Sequence, residues 1–279
     1  MASSEQIRHF HTAPTRTVTD HTTDVSASPI CSLCGSAATA RAFVGNGREL
    51  RVCNRCDLFF VYPYTPNRRQ HKLAGSSRHP EIAVLECHRR YRGEVRYYQR
   101  HFPRIARECR GATSLLDVGC GTGHLLERFS RNATLECLGL EPDPLTARFA
   151  RCVAGCQILD TPFEEFRGSR KFDVVTMINV FSHLRSLDAA FRSLRALLAP
   201  GGKVILCTNE TRRSVFRWNQ LHWGMPDGFH FLGRGTLDFL CAKYGFRATR
   251  RIRAPYEEEL FPGSRWKHLG RGSALYLIK

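Results

Sequence analysis

Apolar and polar positions change their period several times along this chain. SLLDVG (114–119) is a short apolar run that ends in glycines, and HLLERF (124–129) resumes with Leu125, Leu126 and Phe129 on one helical face. The pattern predicts a strand, a glycine-rich turn and a helix. LECLGL (135–140) and CQIL (156–159) are further strand-like runs. Upstream, AFVGNGRELRVC (42–53) predicts a hairpin around a Gly-Asn-Gly turn, and LFFVYPYTP (58–66) continues as a strand with an extended, proline-rich exit. Between these regions, Arg92, Arg96, Arg100 and Arg104 recur every four residues, with Arg89 and Arg107 near the same line. If residues 81–110 are helical, the arginines form one basic stripe, and Pro103 is a point where the helix breaks or restarts.

The glycine turn carries the chemistry. A strand that ends in glycines ahead of a helix brings backbone N–H groups and a helix N-terminus close to a ligand, and a side chain there would block the approach. A dinucleotide fingerprint needs Gly-x-Gly-x-x-Gly, but position 124 is His, so the pattern is Gly119-x-Gly121-x-Gly123. No Gly-Lys-Ser/Thr follows, which excludes a phosphate-binding P-loop. Glu141 lies twenty residues after Gly121, at the end of LECLGL, where a carboxylate can accept hydrogen bonds from two ribose hydroxyls; Asp143 is the alternative.

These residues resemble the class I S-adenosylmethionine-dependent methyltransferases. The resemblance extends over roughly residues 111–279. KFDVVTMINVFSHL (171–184) is similar to the family's fourth strand and following loop, and LLAPGGKVIL (197–206) to its turn and fifth strand. FHFLGRGTLDFLCAKYGFRATRRI (229–252) is similar to the late helix and sixth strand, and SALYLIK (273–279) to the closing seventh. The resemblance implies an α/β fold: a Rossmann-like seven-stranded sheet with helices on both faces. It further implies that S-adenosylmethionine is the cofactor and that Gly119, Gly121 and Gly123 pass under its amino-acid portion. Asp117 would orient that loop near the cofactor amine. Glu141 would hold the ribose, Asp160 approach the adenine edge, and Asn179 face the methionine end. Capping or turn formation is the competing explanation for Asp160 and Asn179.

Methyl transfer from a sulfonium is an in-line displacement, so a protein base is needed only where the acceptor must first lose a proton. His183, His222 and His230 are the candidates. His183 stands where the family frequently has Glu-His, and here Ser182 precedes it, which removes the acidic residue that some relatives use. Trp218, Trp223, Phe229 and Phe231 crowd the same region, either as an aromatic lid over an organic acceptor or as ordinary core packing.

Cysteine spacing adds a second module. CSLCG (31–35) and CNRC (53–56) are Cys-x-x-Cys pairs separated by eighteen residues. Cys31, Cys34, Cys53 and Cys56 fit a closed, structural zinc site with four thiolates, and the segment reads as a zinc ribbon. The other eight of the twelve cysteines are scattered; several, such as Cys120, Cys137, Cys156 and Cys207, lie in or beside apolar runs, so reduced thiols in a cytoplasmic protein are expected. The expected organisation is a disordered leader (1–29), the ribbon (30–66), a helical linker or lid (67–110) and the methyltransferase domain (111–279).

Charge changes the picture least. The formal net charge is +17, but it is carried by arginines spread along the whole chain. A phosphate-tracking face for RNA, a site for one anionic acceptor and a solvated face are all consistent with the Arg stripe. A ribbon ahead of such a core resembles bacterial small-molecule methyltransferases, including sugar C-methyltransferases, and more loosely some ribosomal RNA guanine methyltransferases. INVFSH (178–183) occupies the place of the Asn-Pro-Pro-Tyr segment of amino-methylating nucleic-acid enzymes, with no cysteine nucleophile. The favoured expectation is therefore transfer to a small, possibly anionic acceptor in biosynthesis, ahead of an RNA base, and ahead of a non-catalytic scaffold, against which the intact loop and Glu141 argue. No apolar run approaches the roughly 18 residues that a membrane helix needs.

Overall fold

The computed structural model describes residues 29–45, 48–63, 80–131, 133–209, 229–253 and 273–279. Its larger sheet has seven strands. In chain order these are β4 (Ser114–Val118), β5 (Glu136–Leu140), β6 (Gln157–Leu159), β7 (Phe172–Ile178), β8 (Leu198–Asn209), β10 (Ala248–Arg253) and β11 (Ser273–Ile278). Their spatial order is β10-β11-β8-β7-β4-β5-β6. The pairs from β8 to β6 are parallel, and β11 lies antiparallel to both β8 and β10. The chain runs outward from β4 through β5 to β6, then returns to lay β7 on the other side of β4. That reversal makes the carboxyl end of β4 a topological switch point, where open α/β sheets form a crevice.

Both faces of the sheet are covered, which is why its central strands read as continuous apolar runs rather than alternating ones. Successive residues divide between two cores. Leu115, Val174 and Ile205 face one, with Tyr97, Tyr98 and Ile105 of α1 (Pro80–Glu108), Leu125 and Phe129 of α2 (His124–Ser130) and Ala147 of α3 (Pro144–Val153). Leu116, Val175 and Val204 face the other, with Phe191 and Leu194 of α4 (Leu187–Leu197) and Leu237 and Leu240 of α5 (Thr236–Tyr244). Helix starts are locally specified. Ser186 accepts from Ala189 N (3.1 Å) to cap α4, and Asp143 accepts from Thr146 N (2.8 Å) to cap α3, with Pro144 following it.

α1 runs unbroken through Pro103. The break that proline invites is absent because Pro103 sits on the exposed face, where the carbonyl it leaves unpaired is open to solvent, while the apolar face of the helix stays packed on the sheet. Arg92, Arg96, Arg104 and Arg107 point outward, and Tyr97 and Tyr98 are buried.

A second, antiparallel sheet has the order β1-β2-β3-β9. β1 (Thr39–Gly45), β2 (Arg48–Cys53) and β3 (Phe59–Tyr62) form the cysteine-bearing meander. Its fourth strand, β9 (His230–Phe231), comes from the segment between β8 and α5, so this small sheet crosses the 30–66 and 111–279 division expected from sequence. Cys31, Leu33, Leu58 and Phe60 belong to the same apolar core as Phe181, Leu184, Leu232 and Leu237. Among the described residues no helix is long and apolar enough to cross a membrane.

Candidate functional site

The glycine turn adopts backbone conformations that exclude side chains. Gly119, Gly121 and Gly123 have φ of 65°, 59° and 85°. A Cβ on Gly119 would lie 2.6 Å from Val180 Cγ2, and one on Gly121 would lie 2.6 Å from Glu94 Oε1 and 3.1 Å from Arg90 Nη2. The turn therefore threads between α1 and the residues that follow β7, at the switch point.

Three buried carboxylates surround it. Asp117, near the end of β4, accepts from Thr176 Oγ1 at 2.6 Å. Burial pushes its pKa up to about 7, with Glu94 and Glu141 adding repulsion against the hydrogen bond from Thr176. Glu141 accepts from Gly121 N and from Asp143 N, both at 3.0 Å, which ties the tip of β5 to the turn. Burial raises its pKa, and Arg90 works in the opposite direction. Glu94 accepts from Thr122 N (3.2 Å), Thr122 Oγ1 (2.6 Å) and Arg90 Nε (3.2 Å). Arg90 Nη1 is buried with no hydrogen-bond partner. A buried donor left unpaired is costly, and its place beside a turn of left-handed glycines suits an anionic ligand group.

Asp117 yields a pH prediction. The folded chain keeps this proton to about pH 7, whereas an unfolded aspartate releases it near 3.8. The folded state binds more protons between those values, so this group lowers stability as pH rises from about 4 to 7. Asp117→Asn should therefore be more stable than wild type at pH 8, by up to ~4 kcal/mol, and melt higher, with the gap closing near pH 4. Parallel melting curves across the pH range would refute this if the gap stays constant.

The other candidates separate. Asn179, just after β7, has a left-handed φ of 59° and donates its backbone N–H to Cys207 O (2.8 Å). Asp160 follows β6 and is exposed, in an ion pair with Arg151 at 3.0 Å. Asp143 spends Oδ1 on the α3 cap, bonded to Thr146 N and Oγ1 (2.7 Å). His183 is exposed on the short 3-10 turn Phe181–His183 beyond β7. His230 is buried in β9 with Nε2 2.9 Å from Ser32 Oγ, and burial lowers its pKa to about 4, against a smaller opposing effect of the Leu184 backbone. A ring held this way is a poor proton acceptor near neutrality. Phe229 and Phe231 are buried, and His222, Trp218 and Trp223 lie outside the described residues.

Sequence reasoning missed Arg90 and Glu94. Their i, i+4 spacing was the available signal, hidden in a segment read as a linker with an outward basic stripe.

The four sulfurs of Cys31, Cys34, Cys53 and Cys56 lie within 4.8 Å of one another, with Cys31–Cys56 at 3.5 Å and Cys34–Cys53 at 3.4 Å. A tetrahedral zinc with Zn–S bonds of about 2.3 Å has sulfurs ~3.8 Å apart, so the donor set fits, whereas a disulfide would need about 2.05 Å. Cys31 and Cys56 share a proton, which lowers the pKa of Cys31 to about 5 and raises that of Cys56, and a bound metal would displace that proton. Both knuckles turn through a left-handed residue, Gly35 (φ 69°) in the first and Asp57 (φ 58°) in the second.

Known proteins share the fold. A family model described as "Methyltransferase domain" matches residues 88–250, more than half of the chain. A ubiquinone biosynthesis O-methyltransferase from Bradyrhizobium sp. (strain ORS 278) is 31% identical over 116 residues, covering 39% of this chain and 46% of that protein. The chain thus spans about half the length of the curated relatives it matches. Among solved structures, a methyltransferase in complex with the Haloferax volcanii Trm112 methyltransferase activator is similar at a TM-score of 0.57, with 13% identity over 77% of this chain and 98% of that one. The mycolic acid cyclopropane synthase CmaA1, complexed with SAH and CTAB, is similar at 0.53, with 17% identity over 65% and 87%. With its switch-point glycine turn and seven-stranded sheet, the chain belongs to the methyltransferase domain family and has the class I S-adenosylmethionine-dependent fold, joined to a four-cysteine module of zinc-ribbon type.

Proposed function

We propose that this protein transfers a methyl group from S-adenosylmethionine to a small organic acceptor. The observation that carries the reading is the cradle of left-handed glycines closed by the Glu141 carboxylate and the unpartnered Arg90 Nη1. Those groups suit the two ends of such a cofactor. Glu141 takes the ribose hydroxyls, and Arg90 and the turn N–H groups take the methionine carboxylate. Asp117, protonated or not, accepts from Thr176 and fixes the floor of the turn. In the same reading Asn179 faces the methionine end and Asp160, which follows β6, approaches the adenine edge. The cofactor supplies the electrophilic methyl group when bound. The chain's own part is to hold the acceptor atom in line and keep water away.

Two observations favour a small acceptor. The Bradyrhizobium relative is named for O-methylation in ubiquinone biosynthesis. In α1, Tyr97 and Tyr98 are buried and Phe102 packs on Phe129 at 4.9 Å between ring centroids, so these three rings offer no free stacking platform for bases. If the acceptor is a hydroxyl that must lose a proton, exposed His183, on the turn after β7, is the base in this reading.

Calorimetry with S-adenosylhomocysteine tests the cofactor half. Wild type should bind, and Glu141→Ala should weaken binding by roughly ten- to a hundredfold, the worth of one or two charge-assisted hydrogen bonds. Unchanged affinity would remove Glu141 from the site. Incubation with methyl-labelled cofactor, phenolic and sugar acceptors and total RNA tests the other half. Label is expected in the small-molecule fraction, and label confined to RNA would overturn the choice of acceptor.

A further inference from the structure

The ribbon is not merely tethered beside the catalytic fold. Its sheet is completed by β9, with Phe59 opposite Phe231 and Phe60 opposite His230. Val61 N donates to Phe229 O at 3.0 Å, and Ser32, between two of the cysteines, meets His230 across 2.9 Å. The second knuckle goes further. Asp57, next to Cys56, holds the left-handed conformation that glycine occupies in the first knuckle, a strained choice for a residue with a side chain. Its carboxylate accepts from Gly235 N (3.3 Å) at the start of α5, and a Cβ on Gly233 would fall 1.8 Å from Asp57 O. The knuckle is thus seated directly on 233–235 with no room for a side chain between them.

From β9 the contacts continue to the cleft. Phe229 N donates to Ser182 O in the turn after β7 (2.6 Å), and Val180, just before that turn, is the residue that closes on Gly119. A continuous path therefore runs from the cysteines through β9 to the wall facing the glycine turn, and none of it passes through Glu141, Arg90 or Glu94.

We propose that the four-cysteine knuckle, when loaded with metal, is the clamp that positions the cleft wall at 180–182, opposite Gly119, with Asp57 and His230 as positioning residues, while the Glu141, Arg90 and Glu94 network stands without it. This rests on the methyltransferase reading only in calling the cleft the place where cofactor and acceptor meet. The strain at Asp57 is explained by the latch it makes: glycine would sit more easily there but would leave Gly235 N without the carboxylate.

Hydrogen exchange on the full chain tests it, with S-adenosylhomocysteine as the ligand probe. Stripping the metal with a zinc chelator should speed exchange at least tenfold in peptides covering 181–186 and 229–237, leave 114–127 unchanged, and keep the probe's Kd within threefold. Unaltered exchange in 229–237 would overturn the proposal, and so would equal acceleration at 114–127, since the metal would then support the whole fold. Asp57→Gly retains all four cysteines. It should keep its zinc and still exchange about tenfold faster at 233–237, and wild-type protection there would overturn the latch. If wild type does not bind the probe, the methyltransferase reading fails, and the exchange comparison still decides the coupling.

Discussion

Gly121→Val should abolish cofactor binding. The backbone at this position has φ of 59°, where a β-branched residue is strained, and the first carbon of any side chain would stand 2.6 Å from Glu94 Oε1. The substituent cannot be accommodated by moving Glu94 alone, because that carboxylate also holds Thr122 N, Thr122 Oγ1 and Arg90 Nε. Displacing it would leave buried donors unpaired and pull Glu141 away from Gly121 N. Calorimetry with S-adenosylhomocysteine should show at least a hundredfold loss of affinity, about 3 kcal/mol or more. Far-ultraviolet circular dichroism should be near that of wild type. A Kd within threefold of wild type would mean that the ligand does not lie over this turn.

Cys56→Ser should release the metal and loosen the small sheet. Cys56 is buried, and a hydroxyl is a far weaker zinc ligand than a thiolate. Structural zinc contributes on the order of 10–16 kcal/mol to segments too short to fold on apolar burial alone. Because Cys56 shares a core with Phe181, Leu184 and Leu232, the loss should reach beyond the ribbon and lower the melting temperature by roughly 10 °C. Elemental analysis should find about one zinc per wild-type chain and almost none in the variant, as a four-thiolate site requires. A metal-free wild type, purified without chelator, would refute the assignment.

Much of the fold is legible locally because its elements satisfy local rules. SLLDV is buried on both faces, and a parallel strand of that kind has to be apolar throughout. The glycines of the turn announce left-handed backbone, and the cysteine spacing announces a tetrahedral donor set. Features that depend on distant partners were not legible in the same way. β9 is two residues long, and nothing in Phe229–Phe231 says that the partner strand lies at Phe59–Phe60. The inward set of α1, Arg90 with Glu94, looked like part of a charged exposed helix because only its packing against Thr122 distinguishes it from the outward stripe. Pro103 suggested a break, but tertiary packing of the 29-residue helix outweighed one missing hydrogen bond.

The position of β11 has a consequence for biogenesis. It is made after both of its neighbours yet lies between them, so a nascent chain that has already emerged through β10 exposes an unpaired edge on β8 and a lone β10 with nothing to join. Open strand edges attract other chains. β11 therefore closes the larger sheet by filling the gap between β8 and β10, and a chain that stops short of Ser273 would leave both edges open to pairing with other molecules.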